Sequence, residues 1–188
     1  MKSTIIGKLI NDPEIAEWSS SKDVVSEKSI ATPFFDGKEI SYLFAFEENE
    51  ELTIETADTA LHKFFNFEPL AKQQVAEKAF ENWQEFNNAI GYLDGIETYG
   101  SVKDRPDWME RSLQNCLWLA KLTSSDKVWE YIQPKEIIVT MDRYKKREGV
   151  YIQILCNCDW EEEHGLQIVL KNGNELIRVS DQDGNLFD

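Results

Sequence analysis

The sequence predicts an α+β fold, an antiparallel β-sheet made of a C-terminal meander with N-terminal strands and packed against a helical layer. Three observations lead there. From Val150 to Trp160, apolar residues fall at every second position, the repeat of a strand with one face toward a core. Asn172-Gly173 sits between two further apolar runs, where an Asn-Gly pair favours a tight hairpin. Ahead of both, Ala76, Phe80, Trp83, Asn87 and Ile90 recur at helical spacing, with Ala79 and Phe86 widening the stripe. At 188 residues the chain is read as a single domain, residues 1–188. Folding a chain of that size buries roughly 70% of the surface exposed when unfolded.

Residues 1–56 read as strand-rich. Asp36-Gly37 separates two apolar runs and signals a hairpin, after which Ile40, Tyr42, Phe44 and Phe46 share one face. Glu47, Glu48, Glu50 and Glu51 then read as a solvated loop. Residues 57–133 read as helical. Pro69 suits the first turn of a long helix running to Ile90, and Gly91, Gly95 and Gly100 break it. Asp107 is the expected N-cap of a second helix with Met109, Leu113, Cys116, Leu117 and Ala120 on one side. A short third helix carries Val128, Trp129 and Ile132, and Pro134 is expected to stop it.

Residues 136–188 read as the meander. Ile137, Val139 and Met141 alternate in its first strand, and Arg143 to Gly149 turns the chain. Across the Asn-Gly turn, a two-residue loop pairs Ile168 with Ile177 and Leu166 with Val179. Setting Trp160 opposite Leu166 makes residues 161–165 a five-residue loop. Cys158 then meets Ile168, Cys156 meets Leu170, and both thiols face the apolar side, where free cysteine is usually found.

Composition narrows the function. Thirty-five acidic residues against twenty basic ones give a formal net charge of −15. Such a surface repels phosphate backbones and anionic lipid, so nucleic-acid and membrane-surface roles are disfavoured and a basic protein partner is favoured. Three cysteines do not make a disulfide framework, and no signal peptide or spanning segment is read at the start or later, so a cytoplasmic location is expected. Phosphate-binding glycine loops, GxSxG and HExxH are absent, and no cofactor is expected. His62 reads as a structural histidine on a short helix, and Arg143, Lys145, Lys146 and Arg147 as an exposed hairpin tip.

The stretch CNCDWEEEHGL, residues 156–166, concentrates the chemistry-bearing side chains. Zinc would want two pairs of ligands, whereas Cys156 and Cys158 have only His164 nearby, so no metal is expected. The candidate binding residues are Asp159, Trp160, Glu161, Glu162, Glu163 and His164. Three uses fit them: a docking surface for a basic partner, a carboxylate acting as general base with His164, or a turn whose glutamates accept from its own amides while Gly165 takes a positive φ.

DWEEEHGLQIVLKNG followed by LIRVSDQDGNL resembles the C-terminal signature of a bacterial family of domains of unknown function, in which an aromatic strand leads to a WEEEHGL-type loop and the chain closes on an Asp-Gly turn. PFFDGKEI and the tryptophan-bearing helix ahead of Pro134 are similar too. Asp159 to Gly165, with Asp183 and Gly184, carry the match, and the resemblance gives them no role. It implies, loosely, small acidic proteins that accompany secreted toxins as immunity factors. The function expected is therefore a non-catalytic acidic protein-binding module of the cytosol, in its sharpest form an immunity-type protein holding a basic toxin. The alternative is a small enzyme with a carboxylate–histidine site at residues 159–165. Oligomeric state is not legible.

Overall fold

The computed structural model describes residues 1–12, 22–46, 52–91, 93, 107–142 and 147–187. Among the described residues, nine strands form one open sheet: β1 Lys2–Ser3, β2 Gly7–Ile10, β3 Val24–Ser26, β4 Ile30–Thr32, β5 Lys38–Phe44, β6 Ile132–Met141, β7 Val150–Cys158, β8 Glu161–Lys171 and β9 Glu175–Asp181. Their order is β1-β2-β3-β5-β6-β7-β8-β9, with β4 paired to β5. Every pairing is antiparallel except β5 with β6, which run parallel from Ser41↔Glu136 to Phe44↔Val139. The chain between these two neighbours carries α1 Ile54–Phe65, α2 Pro69–Ile90, α3 Asp107–Leu119 and a 3₁₀ helix, Ser125–Glu130. A parallel neighbour needs a long crossover, and the helices supply it.

The predicted α+β class is the one observed. The Asp36-Gly37 hairpin forms, though its loop spans five residues: a 3₁₀ turn at Pro33–Phe35 precedes Asp36 and Gly37, both at positive φ, and Thr32 pairs with Lys38. Phe34 and Phe35 need that extra length to turn their rings inward, where both are buried. The first helix begins at Ile54, inside the region expected to be strand-like, because Thr53 and Thr56 cap its start reciprocally. α2 runs from Pro69 to Ile90 as expected and ends on Gly91 at φ 63, whose amide donates to the Asn87 carbonyl at 2.8 Å. In α3 the buried stripe is Leu113, Cys116 and Leu119, and Leu117 is exposed, which corrects the expected face.

Two further expectations are overturned. Pro134 ends no helix; it lies within β6 at a register shift before Glu136, where a missing amide proton does least harm. Ile132 accordingly opens the strand instead of closing a helix. The hairpin after β8 has three residues, Asn172 to Asn174, since Lys171 pairs with Glu175. Ile177 bulges, so that Leu170 meets Leu176 and Ile168 meets Val179. The bulge restores what the longer loop displaces, and apolar residues again face each other. The expectations on Glu47 to Glu51, Gly95, Gly100 and residues 143–146 lie outside the described residues.

The helices cover one face of the sheet. Ile137, Val139, Ile152, Ile154, Cys156, Leu166, Ile168 and Leu170 are all 0% exposed there and join a core with Ala57, Leu61 and Phe64 of α1 and Val75, Ala79 and Trp83 of α2. Part of the opposite face is covered as well. Tyr151 and Gln153, which alternate with the apolar set of β7, are buried too. Phe187 rests edge-on against Tyr151 at 5.4 Å, the Arg147 guanidinium lies 3.7 Å from the Phe187 ring, and Gln167 donates to the Asn185 carbonyl at 2.6 Å. The C-terminal tail thus serves as a lid on that side. No helix among the described residues is long and apolar enough to cross a membrane.

One backbone contact locks helix to sheet. Gly173, at φ 88, approaches α1 so closely that an added Cβ would stand 1.9 Å from the Ala60 carbonyl oxygen. Gly37, at φ 84, has nothing within 4 Å of that position. Gly173→Ala should therefore cost on the order of 3 kcal/mol, since it combines left-handed strain with a backbone clash. Gly37→Ala carries the strain alone, on the order of 1 kcal/mol. Urea unfolding of the two variants measures the difference.

Candidate functional site, an acidic bulge beside an edge cleft

The predicted loop at residues 161–165 is not a loop. The turn consists of Asp159 and Trp160 alone, and Cys158 pairs with Glu161 at the start of β8. Cys156 pairs with Leu166, Ile154 with Ile168 and Ile152 with Leu170, four residues away from the expected register. An even shift keeps every side chain on its face, so the cysteines still point into the core. Between Cys156 and Cys158, Asn157 alone stands opposite residues 162–165. The glutamates belong to a large bulge at the end of a strand.

Glu161 holds the bulge together. Its Oε1 accepts from the amides of Glu163 at 3.0 Å and His164 at 3.2 Å, and His164 Nδ1 lies 3.5 Å away. The capping role expected of a glutamate is thus filled by this one. Its side chain is 13% exposed, whereas Glu162, Glu163 and His164 face water. Gly165, at φ 73, closes the bulge: a Cβ there would meet the Cys156 carbonyl oxygen at 2.5 Å and Gln182 Nε2 at 2.6 Å. The Gln182 amide donates to that same carbonyl at 2.7 Å. Both expected features of a self-capped turn, the accepting glutamate and the positive-φ glycine, are present in a different backbone setting.

Asp159 and Trp160 anchor the turn to two different helices. Asp159 Oδ2 accepts the Trp118 indole N–H at 2.6 Å, and the Asp159 amide donates to the Tyr131 carbonyl at 3.0 Å. Tyr131 in turn donates its hydroxyl to the Trp118 carbonyl at 3.1 Å, with the two rings 4.6 Å apart. Trp160 is buried against Trp83, 6.2 Å between centroids, and its indole N–H donates to Asn82 Oδ1 at 3.0 Å. These two residues, singled out with the acidic ones, are fasteners for the turn.

Asn82 leads from the turn to a feature the sequence did not reveal. Its Nδ2 donates to Asp181 Oδ1 at 3.4 Å, and both residues line a cleft of about 600 Å³ between α2 and β9. Lys78, Glu81, Asn82 and Glu85 form the helical wall and Leu176 to Asp181, with Asp183, the strand wall. Lys78 pairs with Glu81, and Arg178 holds both oxygens of Asp183 at 2.7 and 2.8 Å. Glu85 and Asp181 therefore tip the cleft toward negative. The spacing of Lys78, Glu81, Asn82 and Glu85 marks one helix face, yet nothing in the sequence links it to a strand 99 residues further on. None of residues 159–164 lines this cleft.

Burial sets the chemistry of the cysteines. All three thiols are free and buried, and burial pushes Cys158 up to about 12 and raises Cys156 and Cys116 as well. A thiol so protonated is a poor nucleophile and a poor metal ligand at neutral pH. Among the described residues, no group of three or more His, Cys, Asp or Glu side chains could hold a metal ion.

The arrangement defines an open-sheet α+β protein whose polar surface features are an acidic bulge and a cleft along its last strand. Residues 5–187 match the family described as Domain of unknown function (DUF6985), and the chain belongs to that family. No curated protein and no solved structure matches it.

Two measurements check this geometry. Glu161→Ala should speed exchange of the Glu163 and His164 amides by about tenfold while lowering global stability by less than about 1 kcal/mol, because the freed amides reach water. Arg178 holds the Asp183 carboxyl well below the usual carboxylate range. The unfolded chain therefore takes up that proton first as pH falls. The stabilisation is complete above the ordinary value of 3.8 and is lost on acidification below it. Asp183→Asn should give a flatter acid limb in a plot of unfolding midpoint against pH.

Proposed function

We propose that the protein is a non-catalytic acidic module that binds a basic protein partner. The observation that carries this reading is the division of labour in the bulge. Glu161 turns its carboxylate inward to fix the backbone, so Glu162 and Glu163 are presented to water from a braced position. Repulsion among adjacent glutamates costs stability that a simple turn would avoid, and a cationic partner offsets it. The net charge of −15 extends the same attraction over the whole surface. Asp159 is engaged by Trp118, which leaves it ill placed to act as a general base with His164.

In its sharpest form the partner is a toxin and the protein a cytosolic immunity factor that masks it. Association would then be fast and strongly salt-dependent. The test is capture of partners from the native host at low and at high salt, followed by association kinetics on whatever is recovered. A basic partner is expected, with an association rate that falls with ionic strength and drops by about tenfold for the double variant Glu162→Lys, Glu163→Lys. Binding that ignores both salt and those substitutions would remove the basis for the proposal.

A further inference from the structure

The cleft beside α2 has a geometry that specifies how such a partner is held. Six consecutive residues, Leu176 to Asp181, line it. Along a strand, neighbouring side chains point to opposite faces, so one space reaches all six only from alongside the strand. The cleft therefore runs along the outer edge of β9. That strand ends the sheet order, and no described strand pairs with its outer side. At such an edge, alternate residues direct their N–H and C=O groups outward, as a template for one more strand.

Three features restrict what fits. α2 stands beside the edge and walls the space on one side, so the occupant must be thin, as an extended chain is and a helix is not. The bulge at Ile177 adds twist and keeps the matching segment short, about six residues at roughly 3.3 Å each. The side-chain charges lining the cleft favour cations. Lys78 and Arg178 are each paired with a carboxylate, while Glu85 and Asp181 add negative charge. A second copy of this chain is a poor occupant, because its own β9 edge would bring the same charges against these.

We propose that the outer edge of β9 binds an extended, lysine- or arginine-bearing segment of a partner protein by strand addition, with its cationic side chains reaching Glu85 and Asp181. Backbone pairing supplies affinity and the carboxylates supply selectivity. This deepens the proposed basic-partner function and rests on it. The acidic bulge adjoins the same end of the strand, since Gly165 packs on Gln182 just past Asp181. The bulge attracts the partner and the edge holds it.

The full-length protein, labelled with ¹⁵N, is titrated with an eight-residue peptide of alternating lysine and valine. Its controls are the same peptide with alternate amides N-methylated, and a glutamate–valine peptide. Strand addition predicts shifts concentrated at residues 176–181 and 78–85, slowed exchange of alternate β9 amides, and affinity lost by at least about tenfold on N-methylation. Glu85→Lys should weaken binding by about tenfold with the unfolding temperature little changed. Equal binding of the N-methylated peptide, shifts confined to residues 161–164, or no binding at millimolar peptide would each overturn strand addition while leaving the basic-partner function to its own salt test. Equal binding of the glutamate peptide would instead defeat the charge preference common to both. Self-association through β9, seen as a dimer mass by light scattering, would replace the peptide with a second copy and overturn the proposal.

Discussion

The parallel ladder between β5 and β6 is the contact on which the rest depends. Without it the N-terminal strands and the C-terminal meander would be two small sheets, each with an open edge. Its four-residue register, Ser41 to Phe44 against Glu136 to Val139, joins them into one. Because the two strands run the same way, the chain must travel the length of the sheet between them. That journey carries α1, α2 and α3, and it decides which face of the sheet is dry. Ile137 and Val139 of the ladder are themselves wholly buried in the resulting core.

From that crossover follow the two ends of the helix–sheet interface. At one end Gly173 meets Ala60 backbone to backbone, a distance only a residue without Cβ allows. At the other end Trp160 lies against Trp83 and reaches Asn82, which in turn reaches Asp181. α2 is thereby held beside the edge of the last strand, and the cleft is the space left between them. The acidic bulge is fastened into the same arrangement through Asp159, Trp118 and Tyr131.

Much of the fold was legible because local chemistry and global need agree. Pro69 and Gly91 punctuate α2 at both ends, and the period-two run from Val150 to Trp160 has one stable orientation once a dry face exists. The cysteines could be placed inward on the same parity, and even the mistaken register preserved it. The bulge was misplaced because three extra residues at 162–165 can be spent as a loop beyond the strands or as a bulge within one, at similar local cost. Gln182, far along the chain, helps to decide the matter by bonding the Cys156 carbonyl at the bulge. Pro134 misled in a similar way, since a proline that ends a helix and one that sits at a strand irregularity look alike without the neighbouring strand.

By itself, then, the sequence determined the class of fold, the bounds of α2, the dry side of β7 and the acidity of the surface, all of which depend on periodicity, capping and charge within a few residues. Tertiary structure alone decided the parallel junction, the exact pairing of β8 with its two neighbours, the partial covering of the second sheet face by Phe187, and the cleft between α2 and β9. Each of these is a meeting of segments far apart in the chain, and the free energy that selects it comes from packing and hydrogen bonds that exist only once both partners are in place.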